Sequence, residues 1–189
     1  QDRVAFESFE VSLSYRQWNE QSDRLARQLM HRCHLNPGDR VALMMPNLLQ
    51  YPISLMALLR AGLVVVNTNP LYTARELEHQ LKDSGAKAIV IIENFAATLE
   101  KCIAQTPVQH VVLCAMGDRL GLKGLLVNYV VRNVKKLVPA FSLPQAVRFN
   151  DALRIGAQTQ LRPVNTQPDD VAVLQYTGGT TGVSKGAVL

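Results

Sequence analysis

Eleven residues near the C-terminal end of the chain concentrate groups that hold phosphate: Tyr176, Thr177, Gly178, Gly179, Thr180, Thr181, Gly182, Val183, Ser184, Lys185 and Gly186. Glycines let backbone N–H groups turn towards an anion and approach it closely. The Thr and Ser hydroxyls can donate hydrogen bonds to phosphate oxygens, and Lys185 supplies a compact positive charge. The spacing differs from the Walker loop, because Val183 and Ser184 separate Gly182 from Lys185. It also differs from the dinucleotide fingerprint. Two readings follow from these residues alone: a polyphosphate cradle, or a Gly/Thr hairpin turn with a solvated lysine, since Thr177, Thr180 and Thr181 also favour strands.

No other cluster has comparable chemistry. His31, Cys33 and His34 lack the i, i+4 pairing of two helix-borne ligands, and no second group completes a metal shell, so no metal site is expected. They read instead as the polar end of a helix before the turn at Asn36-Pro37-Gly38-Asp39. Three widely spaced cysteines form no disulfide framework and suggest a reducing, cytoplasmic setting.

The elements that must position the glycine-rich stretch are legible from periodicity. Val4 to Leu13 reads as a hairpin turning at Glu7-Ser8. Ser14 and Gln17 form a capping box for a first helix that buries Trp18, Leu25, Ala26, Leu29 and Met30. Short apolar runs at 40–45, 63–66, 88–92 and 110–114 then alternate with helices at 48–61, 73–84 and 94–105. Asn47 and Gln50 are expected to cap the first of these, and Thr73 and Glu76 the second. The runs are continuously apolar, as strands buried on both faces are. The expected fold is α/β: a mostly parallel sheet flanked by helices, joined by right-handed crossovers, plus a short N-terminal hairpin. Residues 1–162 read as a truncated N-terminal lobe and 163–169 as a linker. Residues 170–189 read as a strand and loop that open the next sheet.

The chain has 189 residues, of which 48% are hydrophobic and 19% charged, which excludes disorder. No signal peptide and no apolar run long enough to span a bilayer is visible. The first residue is Gln and the last apolar run stops at Leu189, so a truncated chain is expected.

Tyr176-Thr-Gly-Gly-Thr-Thr-Gly-Val-Ser-Lys-Gly186 resembles the signature loop of adenylate-forming enzymes: acyl-CoA synthetases, luciferases and nonribosomal adenylation domains. It departs at Gly178, where the family usually has Ser, and at Ser184, where it usually has Pro. The first change removes a hydroxyl donor and the second loosens the turn before Lys185. The Gly-Gly form is similar to bacterial long-chain fatty-acid–CoA ligases. The resemblance continues, in order, through Ser14-Tyr15, Asn36-Pro-Gly-Asp-Arg-Val41, Met45-Pro-Asn47, Arg60-Ala-Gly62, Val66-Asn-Thr-Asn-Pro-Leu-Tyr72, Arg75-Glu-Leu77 and Asp83-Ser-Gly-Ala-Lys87.

The resemblance implies two half-reactions. A carboxylate attacks the α-phosphorus of ATP to give an acyl adenylate and pyrophosphate, and the thiol of CoA then displaces AMP. Tyr176 to Gly186 would hold Mg-ATP (magnesium being the accompanying ion), with Thr180, Thr181 and Lys185 the foremost contacts, acting by positioning and charge neutralisation. The catalytic residues would lie beyond this chain, so residues 1–189 alone are expected to form no acyl adenylate. The implied substrates are a fatty acid, ATP and CoA. Another carboxylic acid, or a non-catalytic docking module, remains an alternative.

Residues 119–148 hold six basic residues and no Asp or Glu, so the rest of a chain of net charge +5 sums to −1. On a helix over 125–138, Leu126, Val130, Val134 and Leu137 would share an apolar face widened by Val127, Val131 and Val138. Asn128, Arg132, Lys135 and Lys136 would lie opposite. Such a helix suits burial against the protein with a solvated basic back. It also suits peripheral contact of 123–148 with an anionic membrane, at the inner face of the cell membrane. Nucleic acid is not expected, because no aromatics interleave with the charges. A homodimer is compatible with the sequence, but no residue specifies one.

Overall fold

The computed structural model describes residues 2–177 and 185–189, with the side chains of Thr177 and Lys185 excepted. Two short antiparallel strands, β1 (Val4–Ser8) and β2 (Val11–Ser14), precede a sheet of seven strands. These are β3 (Arg40–Met44), β4 (Val64–Asn67), β5 (Ala88–Ile92), β6 (His110–Cys114), β7 (Ala146–Arg148), β8 (Val173–Thr177) and β9 (Lys185–Val188). Their spatial order is β7-β6-β5-β3-β4-β8-β9, parallel throughout except for the antiparallel pair β8–β9.

The helices are α1 (Tyr15–His31), α2 (Gln50–Arg60), α3 (Ala74–Ser84), α4 (Ala96–Glu100), α5 (Leu122–Tyr129) and α6 (Phe149–Gly156). Among the described residues no helix is long and apolar enough to cross a membrane.

The continuously apolar strands follow from burial on both faces. Side chains alternate across a strand, so Val41 and Leu43 join one core while Ala42 and Met44 join the other. The first core takes Leu25 and Leu29 of α1, Ile53 and Leu58 of α2, and Phe149 of α6. The second takes Leu77 and Leu81 of α3 and Leu99 of α4. The expected α/β architecture is therefore present, with helices covering both faces.

The capping boxes at Ser14/Gln17 and Thr73/Glu76 both form, and Gly85 closes α3 in the left-handed region. Four local expectations change. The hairpin turns at Phe9-Glu10 rather than Glu7-Ser8: Ser8 pairs with Val11, and Phe9 and Glu10 have φ of 51° and 61°. A two-residue turn with positive φ at both positions matches the twist of the flanking strands. Replacing Phe9-Glu10 by Asn-Gly should raise stability by about 1 kcal/mol, since these residues tolerate that backbone. A urea midpoint that falls would contradict this.

The capping box at Asn47 and Gln50 is absent. Leu49 precedes α2 without a side-chain cap, and the Gln50 amide instead donates to the carbonyls of Ala115 at 2.8 Å and Asp118 at 3.0 Å. The helix expected over 94–105 is broken into a 3₁₀ turn at Glu93–Phe95, the single α-turn of α4, and a second 3₁₀ turn at Ile103–Gln105. Cys33 alone departs from the polar end expected of α1: Arg32 and His34 are exposed, but Cys33 is buried, and its thiol pKa is pushed up to about 11 by that burial. The His31 ring nitrogen lies 2.8 Å from the Gln160 carbonyl oxygen.

Residues 170–189 do not open a separate sheet. Val65, Val66 and Asn67 of β4 pair in parallel with Val173, Leu174 and Gln175 of β8, so β8 and β9 extend the same sheet. Apolar β4 leaves its second edge unpaired unless another strand adds to it, and β8 meets that need.

Candidate functional site

In an open α/β sheet ligands gather at the carboxyl ends of the parallel strands. Here β3, β4, β5 and β8 point their carboxyl ends to the same edge, and β8 runs there into the glycine-rich stretch. Gly178, Gly179, Thr180, Thr181, Gly182, Val183 and Ser184 lie outside the described residues. What flanks them is well defined. Tyr176 faces Gly186 and Thr177 faces Lys185 across the β8–β9 ladder, so the two ends of the stretch are brought side by side.

Tyr176 is 8% exposed and its hydroxyl donates to Asp83 of α3 at 2.5 Å. Burial, followed by the Asp83 hydrogen bond and charge, holds the phenol well above its usual pKa. Its hydroxyl is thus committed to α3. On the other strand, a Cβ at Gly186 would sit 3.0 Å from the Tyr176 ring, so a larger residue there would press the ring to shift by a few tenths of an ångström.

A polar network missed by sequence reasoning lies beside this hairpin. Asn67, the last residue of β4, donates through its amide to Gln175 Oε1 of β8 at 2.8 Å. The Asn67 Oδ1 accepts from the Tyr51 hydroxyl of α2 at 2.8 Å, and its carbonyl accepts from the Gln80 amide of α3 at 2.8 Å. The Gln80 Oε1 is buried without a partner. Each of these residues reads locally as an ordinary helix or strand residue, and only β4–β8 pairing joins them. This network aligns β8 to the sheet and so sets where the loop begins.

A second cluster sits at the carboxyl ends of β5 and β6. Glu93, 1% exposed, accepts from Arg132 Nε at 2.8 Å and Nη2 at 2.9 Å, and from Arg148 Nη1 at 2.9 Å. The Glu93 hydrogen bond holds the Arg132 pKa up. Arg132, one of the three basic residues expected to form a solvated or lipid-facing back, therefore turns onto a buried carboxylate, joined there by Arg148. The helix itself also differs from expectation. It starts at Leu122 and passes into a π turn at Val130–Val134, with Gly124 and Val131 buried while Leu126, Val134 and Leu137 are exposed.

Asp118, in the loop that leads to α5, accepts from the Ala115 N–H at 2.8 Å. Burial raises its pKa against the lowering by that bond, with the Glu93 charge adding to the rise. The folded state then binds a proton where the unfolded chain does not. Stability should fall as pH rises from the ordinary aspartate value through the raised one. Asp118→Asn should flatten that slope in denaturation midpoints taken across the acid range, and an unchanged slope would show that Asp118 is not its source.

No group of three or more His, Cys, Asp and Glu side chains converges among the described residues. These residues do not fit a magnesium site on their own, and no step is assigned to the metal. A cleft of about 800 Å³ lies at the amino ends of β3, β4 and β8, lined by Pro37, Arg40, Val64 and Ala172, at the opposite edge of the sheet from the end of β8.

The chain as a whole is matched by known proteins. The family model described as AMP-binding enzyme matches residues 1–189. The chain belongs to the AMP-binding enzyme family. A long-chain-fatty-acid–CoA ligase of Escherichia coli O157:H7 is 56% identical over 189 residues, covering all of this chain and 34% of that protein. A protein of the same description from Haemophilus influenzae is also 56% identical, with the same coverage. The chain therefore spans about a third of the length of these curated relatives. Among solved structures, the anthranilate CoA ligase AuaEII in complex with anthranoyl-AMP superimposes with a TM-score of 0.78 over 99% of this chain and 31% of that one. At 18% identity it shows a shared fold. The α/β lobe with its N-terminal hairpin is thus an N-terminal part of the adenylate-forming fold.

Proposed function

We infer that the protein carrying this chain is an AMP-forming long-chain fatty-acid–CoA ligase, converting a fatty acid, ATP and CoA into acyl-CoA, AMP and pyrophosphate through an acyl adenylate. The observation that carries this reading is 56% identity over all 189 residues to proteins described as long-chain-fatty-acid–CoA ligases. Within the reading, Tyr176, Thr177, Gly178, Gly179, Thr180, Thr181, Gly182, Val183, Ser184, Lys185 and Gly186 form the ATP-binding stretch. Lys185 and the hydroxyls of Thr180 and Thr181 neutralise and orient the β- and γ-phosphates, so that pyrophosphate leaves in line with the attacking carboxylate.

The β8–β9 ladder supports this assignment by holding both ends of the stretch at the sheet's carboxyl edge, and Tyr176–Asp83 ties its start to α3. The chemistry on the acyl group depends on residues outside this chain, and residues 1–189 alone should form no adenylate. The reading also includes a cytoplasmic protein peripheral on the inner face of the cell membrane, and it accommodates a homodimer.

The test is product analysis with the full-length protein, ATP, magnesium, CoA and a panel of acids. Palmitate should give palmitoyl-CoA with release of AMP rather than ADP. Thioester formed from benzoate or an amino acid in preference to palmitate would keep adenylation and discard the fatty-acid assignment.

A further inference from the structure

The outward face of α5 is apolar in a way that its position in the fold does not explain. Its inward face is settled by contacts. Gly124 packs backbone against Gly117, where a Cβ would come 1.9 Å from the Gly117 carbonyl oxygen. Asn128 Oδ1 accepts the Gly117 N–H at 2.7 Å, and Val131 is buried. Positions 124, 128 and 131 thus line one side. The opposite side carries Leu122, Leu125, Leu126 and Tyr129, at i, i+3, i+4 and i+7, and these are 88%, 71%, 65% and 59% exposed. Val134 and Leu137 are exposed beyond them.

A second element brings a further exposed apolar group near the start of α5. Phe9 sits at the tip of the β1–β2 hairpin, 54% exposed, with a positive φ that bulky residues rarely adopt. The next residue, Glu10, pairs with Lys123 of α5 at 3.2 Å, which holds the tip beside the start of the stripe. Scattered exposed leucines need no explanation, but a contiguous stripe on a helix flanked by an exposed aromatic does.

The surrounding charge points to the occupant. Residues 119–148 contain no Asp or Glu. Arg132 and Arg148 are engaged with Glu93, while Lys135 and Lys136 at the far end of the segment are exposed and have no acidic partner among the described residues. An apolar stripe ended by unpaired lysines complements an anionic lipid surface, which accepts leucine and aromatic side chains at its acyl boundary and lysine at its headgroups.

We propose that Phe9 and the Leu122, Leu125, Leu126 and Tyr129 face of α5 form a docking surface for an anionic lipid bilayer. The proposal takes the peripheral membrane position from the ligase reading and gives it a surface, while remaining independent of the adenylation chemistry. The Gly117–Gly124 contact and the Glu93 ion pairs fix α5 to the sheet, so the face is held rigid and outward before any lipid arrives.

The test is flotation of the full-length protein with phosphatidylcholine vesicles containing phosphatidylglycerol, against phosphatidylcholine alone. Wild type should partition onto the anionic vesicles and stay in solution with the neutral ones. Leu122→Ser/Leu126→Ser should reduce partitioning about tenfold or more by loss of apolar burial. Lys135→Glu/Lys136→Glu should do the same by charge reversal. Phe9→Ser serves as an independent variant at the hairpin tip and should weaken binding less.

Unchanged partitioning in both double variants overturns the proposal. So does unchanged partitioning with a shift from dimer to monomer in Leu122→Ser/Leu126→Ser, which would make the face a contact between two copies. A lowered melting temperature with unchanged partitioning also overturns it, because the face would then be covered by the rest of the polypeptide. Palmitate-driven ATP–pyrophosphate exchange without vesicles, run on the same proteins, separates the two readings. Its absence from wild type sinks the ligase assignment alone, and loss of vesicle binding by wild type sinks the docking surface alone.

Discussion

Replacing both Arg132 and Arg148 by Ala should destabilise the protein by about 3–5 kcal/mol, the range for stranding a buried charge. The reason lies in where the three groups sit. Glu93 is 1% exposed, while the arginine side chains are 40% and 49% exposed. Most of the cost therefore falls on the carboxylate, which loses three charge-assisted hydrogen bonds without gaining water. Glu93→Leu alone should cost less, because the freed guanidinium groups can turn to solvent. Adding Glu93→Leu to the double arginine variant should restore much of the lost stability. Urea denaturation of the four proteins checks the pattern. A loss below about 1 kcal/mol in the arginine variant would mean that Glu93 reaches water when unpaired.

The second large effect is on turnover. Lys185→Ala in the full-length protein should lower ATP–pyrophosphate exchange by roughly 10²–10³-fold, the scale of removing one preorganised donor from a developing charge. Thr180→Ala and Thr181→Ala should each cost less, because a glycine-rich phosphate site spreads its hydrogen bonds over many backbone N–H groups. A denaturation midpoint measured on the same variant separates loss of the cation from loss of the fold, and the exchange rate should fall far more than the midpoint. Full exchange in Lys185→Ala would favour the plain Gly/Thr turn.

Much of the fold was legible because strands buried on both faces leave continuous apolar runs, and β5 and β6 are found at the expected residues. Capping boxes at Ser14 and Thr73 were equally local and both form. The misreadings share a cause. Gln50 looked like a cap partner, but tertiary contact with the Ala115 and Asp118 carbonyls claims its amide. The helix over 125–138 was assigned faces by periodicity alone. Its start is three residues earlier, and Glu93, distant in sequence, decides which way Arg132 points. Nor could any local pattern reveal that β8 would join β4, which brings Asn67, Gln175 and Tyr51 together. The glycines, threonines and lysine of 177–186 point to phosphate chemistry, and residues 178–184 of that stretch lie outside the described residues. The family assignment came from the succession of turn and cap motifs along the chain, and the match over residues 1–189 bears it out.

The most direct test of the central claim is ATP–pyrophosphate exchange by the full-length protein with palmitate as the acid and no CoA present. Exchange that depends on palmitate is the expected result, because adenylation precedes thiol attack. A folded protein that binds ATP yet shows no palmitate-dependent exchange would contradict the assignment.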